Sequence, residues 1–303
     1  MSEKIPLGKW VDQGVQYLLT HDAKAFDTIG KVIESFAAMV EHGLQAVPMW
    51  LMIAIFVGIG LWRVGWRFAG FTLLALLLIW GTGFWDEMII TLALTLSATF
   101  ISLLLGIPLG VCTAKSRMME TIVRPALDLM QTMPAFVYLI PAAMLFGLGR
   151  VPGIISTVIF AMPPAVRLTS LGIRHVNREI VEAGQAFGCT PWQLLYKVQF
   201  PNALPSVMTG INQTIMMALS MVIIASMVGA GGLGNDVLAS IQRLDIGLGF
   251  ESGLAVVLLA IILDRVTESF GRTAGAARAP LLSGLRSVMK VGRSPNARRS
   301  EAG

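Results

Sequence analysis

Side chains able to carry out bond chemistry are few along these 303 positions, and they are scattered. His21, His42 and His175 form no cluster. Cys112 and Cys189 have no neighbours at metal-ligand spacing, which gives both thiols structural roles and leaves no metal site. No Gly-x-x-x-x-Gly-Lys-Ser/Thr loop occurs, so the chain lacks that device for holding ATP and carries no cofactor signature of its own. Asp128 and Asp264 fall near the ends of apolar runs, and no series of acids or bases threads the apolar centres as an ion-coupled pump requires. Against this background one polar island is conspicuous, Glu182 to Pro201, EAGQAFGCTPWQLLYKVQFP. Its residue types suit a contact with another protein.

The island reads as a helix, a tight turn and a second helix. Gly188 supplies a left-handed stop to a helix running through Phe187, Thr190 caps the next one, and Pro191 fits its first turn. Pro201 is expected to end that second helix. Gly184 and Gly188 permit close backbone approach, and Trp192, Leu194, Leu195 and Tyr196 form an apolar set suited to a partner's cleft. Such a stiff pair would pass the partner's closure on as rigid-body motion. Glu182 is read either as the mate of a partner cation or as a cap of its own helix. The plain alternative is a soluble hairpin that only links two spans.

The elements that must position this island are membrane helices. Hydrophobic residues make up 55% of the chain and charged residues 14%, with a mean hydropathy of +0.72, so the fold class is an all-α integral membrane protein. A spanning helix needs about 20 mainly apolar residues. About seven candidates follow, near 46–62, 68–85, 88–112, 126–148, 151–171, 206–230 and 252–264. The alternating ten-residue segments of an outer-membrane barrel are missing, and the first 45 residues show no cleavable signal pattern. Lys4, Lys9, Lys24, Lys31, Arg150 and Arg243 fall on one side of this topology and the rest of the 23 Lys and Arg on the other. By the positive-inside rule the island and the C-terminus then face the cytoplasm and the N-terminus lies outside.

Four regions follow. Residues 1–45 hold an amphipathic segment in which Ile29, Val32, Ile33, Phe36 and Val40 repeat at helical spacing, read as a helix packed on its own bundle in preference to one lying in the membrane interface. Residues 46–87 are two accessory spans with Trp50, Trp62, Trp66, Trp80 and Trp85 at their ends as interfacial anchors. Residues 88–270 form the core, where Pro108, Pro134, Pro141, Pro163 and Pro164 are expected to kink or break their helices. Gly106 and Gly110 suit close helix contact. Residues 271–303 form a basic cytoplasmic tail, read as topology-setting charge in preference to a sensor of anionic lipid or ionic strength.

Arranged as Glu182-Ala183-Gly184, three residues, Gly188, nine residues, Val198, one residue and Phe200-Pro201, the island resembles the EAA loop of bacterial ABC importer permeases. The runs MQTMPAFVYLIPAAMLFGLG (130–149), IFAMPPAVRLTSLGI (159–173) and NQTIMMALSMVIIASMVGAGGLG (212–234) resemble the glycine betaine/proline permease subunits of the ProW and OpuAB type, over about residues 45 to 270. That resemblance implies a type I ABC importer transmembrane domain, two permease copies working with two ATP-binding subunits, and an external substrate-binding protein. It also implies a bacterial inner-membrane location and no nucleic-acid partner. ATP would be bound by the partner subunit, and Glu182, Ala183, Gly184, Gly188, Pro191, Trp192, Val198 and Pro201 would form the ATPase coupling loop. The loop departs from the family pattern in having Gly184 where an alanine is usual and Phe200 where a leucine is usual.

The transported solute implied by the resemblance is a quaternary ammonium compound such as glycine betaine, choline or proline betaine. In this family an aromatic cage holding the cation by cation–π attraction lies in the separate binding protein, so an amino acid permease for proline or histidine is the nearer alternative. A stand-alone channel or ion-coupled carrier is the more distant one. Gln131, Tyr138, Asn212, Gln213 and Ser220 are polar residues in apolar runs and are the translocation-path candidates. Hydrogen bonding between helices is the competing role for each.

Overall fold

The computed structural model describes residues 23–271, all of whose regular elements are helical. Positions 1–22 and, but for Gly271, the basic tail expected over 271–303 lie outside the described residues. The elements are α1 (Ala23–Gln45), α2 (Met49–Arg63), α3 (Trp66–Gly81), α4 (Trp85–Lys115), α5 (Arg117–Thr132), α6 (Phe136–Phe146), α7 (Arg150–Arg174) and α8 (Arg178–Ala186). A single turn, α9 (Pro191–Gln193), runs through a π-helical stretch, Leu194–Gln199, into α10 (Phe200–Ala225). Then come α11 (Leu233–Arg243) and α12 (Ile246–Gly271).

Among the described residues, four stretches are long and apolar enough to cross a membrane: α4, α7, the continuous Pro191–Val228 stretch and α12. The bent pairs α1–α2 and α5–α6 bring the number to 6 if each counts as one span, and the shorter apolar α3 would be a seventh. The run 126–148, expected as one span, is instead split between α5 and α6, which meet at 97°. Pro134 causes the break. A residue before proline is pushed out of the helical region, and Met133 is extended at ψ 138°. The Tyr138 hydroxyl then staples the corner, donating a shared bond to the carbonyls of Met130 at 2.5 Å and Met133 at 2.7 Å.

The other prolines do not break their helices. Pro108, Pro141, Pro163 and Pro164 are carried inside continuous helices, as are Pro125 and Pro205. Packing against neighbouring helices keeps such helices together although each proline removes one hydrogen bond. The short run 252–264 also grows into the 26-residue α12.

Helix α7 lies between α4 and α10, and glycines set the distances. A Cβ on Gly106 of α4 would stand 3.1 Å from Ala165, and one on Gly110 would stand 2.7 Å from both the Val166 carbonyl and Thr169 Cβ, so α4 and α7 run parallel in close contact. On the opposite side Gly172 faces Ser206 and Ala203, Gly210 faces Leu168, and Gly153 faces Ala230 and Ala225, which makes α10 antiparallel to α7 along its length. Met88, Leu92, Leu219, Leu233, Leu259 and Ile262 fill the space between α4, α10 and α12.

Helix α1 packs on its own bundle, but only part of the face read from the sequence does so: Ile33 and Phe36 lie against the bundle, whereas Ile29 and Val32 are exposed. Phe36 meets Phe100 at 5.3 Å between ring centroids, Phe26 meets Phe146 at 5.6 Å, and Ala37 is buried against the same neighbours as Leu94 and Ala98. Its far end is fixed by Glu41, 7% exposed, which takes both ends of the Arg150 guanidinium at 2.7 Å and 3.2 Å.

Candidate functional site

The island of residues 182–201 forms a hairpin at the end of the bundle where α4 and α7 finish and α10 begins. Asn177 caps α8, its side chain accepting from the Glu179 N–H at 3.0 Å, so capping is not the task of Glu182. The helix stops as the sequence implies: Gly188 is left-handed at φ +77°, the Cys189 N–H reaches the Gly184 carbonyl at 3.1 Å, and the Gly188 N–H reaches that of Gln185 at 2.9 Å. These two bonds are a Schellman motif. Thr190 and Gln193 then exchange bonds as a capping box, with Pro191 in the first turn.

Pro201 does not end the second helix. The chain passes through the π-helical turn, in which the Phe200 N–H bonds to the Leu195 carbonyl five residues back, and continues into α10. A wider turn moves aside the carbonyl four residues before the proline, with which its ring would otherwise collide. The hairpin is thus continuous with a membrane-spanning helix.

The apolar set divides. Leu194 and Leu195 are buried, Leu195 with Ile173, Ala203 and Val207, so they hold the hairpin to the bundle and are not offered to a partner. Trp192 and Tyr196 are each 76% exposed, and Phe187, which sequence reasoning passed over as merely the last residue of a helix, is 91% exposed. Gly184 is buried, and a Cβ there would stand 2.8 Å from Leu194 and 3.4 Å from half-buried Val198. The departure from alanine at this position therefore reflects how closely the two arms of the hairpin pack. Gly188, by contrast, has nothing within 4 Å of a built Cβ, so its role is conformational and its surface is free.

Glu182, Ala183, Pro191 and Pro201 are exposed. Glu182 lines a cavity of about 680 Å³ with Lys115, Arg174, Arg178 and Cys189. The Lys115 ammonium donates to the Pro191 carbonyl at 3.1 Å, which ties the second arm of the hairpin to the end of α4.

The translocation-path candidates do not converge on one site. Tyr138 is buried and occupied in stapling the α5–α6 corner, beside half-buried Gln131. Asn212 donates from Nδ2 to Asp264 of α12 at 3.0 Å, an interhelical bond. Gln213 and Ser220 are exposed on one face of α10, two turns apart, and Ser220 bonds back to the Met216 carbonyl. A second cavity, about 560 Å³, lies between α5 and α7 among Glu120, Arg124, Asp128, Arg167 and Arg174. Arg167 pairs with Asp128, and Arg174 with Glu120 at 2.6 Å.

Comparison with known proteins agrees with this geometry. Residues 102–273 match the family described as binding-protein-dependent transport system inner membrane component. The glycine betaine/carnitine transport permease protein GbuB of Listeria monocytogenes is 50% identical over 89% of this chain and 97% of its own length. The glycine betaine/proline betaine permease protein ProW of Escherichia coli is 45% identical over 88% of this chain and 76% of its own, and OpuAB of Bacillus subtilis is 45% identical over 88% and 94%. Among solved structures, a chain of the methionine ABC transporter MetNI in an inward-facing form superposes with a TM-score of 0.54 at 21% identity, covering 60% of this chain and 92% of that one, which shows a shared fold. These matches, on a multi-pass bundle with the type I ABC importer permease fold, place the chain in the family of inner membrane components of binding-protein-dependent transport systems.

Proposed function

We propose that this chain is the permease subunit of an ATP-driven importer that takes up glycine betaine or a closely related quaternary ammonium solute by alternating access. The observation that carries the coupling part is the rigid hairpin with its outward aromatic edge of Phe187, Trp192 and Tyr196, fused through Leu194–Gln199 to a spanning helix. Such an edge fits a cleft in an ATPase subunit, which binds and hydrolyses the nucleotide while this chain performs no covalent step. The distribution of Lys and Arg supports a cytoplasmic hairpin and C-terminus, a periplasmic N-terminus and a bacterial inner-membrane location. A second copy of the chain and an external binding protein complete the assembly. Gln213 and Ser220, on the free face of α10, are the path residues of choice, while Gln131, Tyr138 and Asn212 serve packing.

The substrate class rests on the names of the relatives, all three of which are glycine betaine permeases. The test is reconstitution of the chain with its ATPase and binding protein in liposomes, followed by uptake of labelled glycine betaine in competition with choline, proline betaine, proline and histidine. ATP-dependent accumulation displaced by quaternary ammonium compounds is expected. Preferential displacement by histidine or proline would assign the chain to amino acid import, and flux through this chain alone would exclude the coupled mechanism.

A further inference from the structure

The geometry points to Arg174 as the positioning residue that carries movement of the hairpin to the broken span α5–α6. The inference rests on the importer reading and adds a route for the stroke other than the continuous α10.

Arg174 closes α7, three residues before the cap of the hairpin's first arm. Its Nη1 donates to Glu120 Oε2 in the first turn of α5 at 2.6 Å, and its Nη2 donates to the carbonyl of Thr113 in the last turn of α4. One guanidinium therefore joins the ends of three helices, a task for which a planar fork with several donors is suited and a lysine is not. Of the residues around the hairpin cavity and the α5–α7 cavity, Arg174 is the one common to both. On the hairpin side Lys115, two residues beyond Thr113, holds the Pro191 carbonyl, so the second arm bears on the same corner.

The neighbouring charges do not share this place. Arg124 takes the other oxygen of Glu120 at 2.9 Å, but both belong to α5, so that bond joins no two elements. Arg167 and Asp128 join α7 to α5 farther along, away from the hairpin cavity. Helix α5 is gripped near its start by Arg174 and is bent at its finish by 97°, with Tyr138 pinning the corner. Displacement of its first turn is then taken up as rotation about Met133–Ala135, the joint least constrained by helical bonding.

The test uses the complete importer in liposomes, with solute uptake and ATP hydrolysis measured on the same vesicles. Arg174→Gln and Glu120→Gln are each expected to keep ATP hydrolysis while solute moved per ATP falls about ten-fold, and the double variant is expected to do no worse than either. Arg174→Lys keeps the charge and the Glu120 contact but gives up the second acceptor, so it assembles and loses about two- to five-fold. A wild-type ratio in Arg174→Lys and Glu120→Gln, or a double variant whose loss is the product of the two single losses, overturns the bridging role. Absence of ATP-driven uptake by the unaltered complex would strike the importer reading itself.

Discussion

At Gly188 the backbone asks for a left-handed residue and the surroundings ask for nothing, since no atom lies near its missing side chain. Aspartate is among the residues that visit this conformation most readily, so Gly188→Asp, at a cost of about 1–2 kcal/mol, should leave the bundle folded. The added carboxylate lies between Phe187 and the second arm, where the ATPase is to dock. We expect insertion at the parental level with uptake abolished, measured by membrane fractionation and solute accumulation; parental uptake would refute docking at this turn. Asp236, in the short helix α11 between two spans, makes a second residue-scale prediction. Burial first, then the charge of Glu87, raises its carboxyl pKa, and its Oδ2 is buried without a partner. A carboxyl whose folded pKa is raised binds more protons folded than unfolded, so it costs stability progressively as pH climbs above the ordinary value of 3.8. Asp236→Asn should therefore raise the unfolding temperature at pH 7, with the gain shrinking as the pH is lowered; a gain that grows on acidification would show the sign to be wrong.

Among the elements, the α4–α7 contact leaves little room for a side chain. A side chain at Gly110 would meet the Val166 carbonyl, a backbone atom with little room to give, so Gly110→Val should destabilise the bundle by about 1–3 kcal/mol and lower its unfolding temperature in detergent. An unchanged temperature would mean that the two helices can part. This contact was legible because small residues four apart in an apolar run have a single strong use. The Schellman turn and the capping box at 184–193 were legible too, being decided by residues within a few positions of one another. What the sequence hid depends on distant partners. Five prolines in apolar runs look alike, yet only Pro134 breaks its helix, where the Tyr138 hydroxyl is placed to bond the freed carbonyls. Leu194 and Leu195 read as partner-facing until α7 and α10 are seen to cover Leu195 and Gly184 of α8 to lie against Leu194. The pairing of Arg174 with Glu120, 54 residues apart, needs the register of α5 against α7, which no local pattern encodes.

For the molecule as a whole, α1 is held to the far end of the bundle by Glu41 and Arg150. Glu41→Gln should loosen that end by about 1–2 kcal/mol, less than a fully enclosed pair because the Arg150 side chain remains 32% exposed. Faster proteolysis within 23–45, with uptake still driven by ATP, is the expected result, and parental resistance to protease would show that the aromatic contacts suffice. The unbroken stretch from Pro191 to Val228 has a wider implication. At 38 residues it is about 57 Å long, well beyond the roughly 30 Å of hydrocarbon, and its α10 portion is fastened to α7 by glycine contacts near both ends. A beam longer than the sheet it pierces behaves as a seesaw: tipping it outward on one side draws it inward on the other. Mutual exclusion of the two openings would then follow from stiffness alone, with no separate lock to keep both from standing open together.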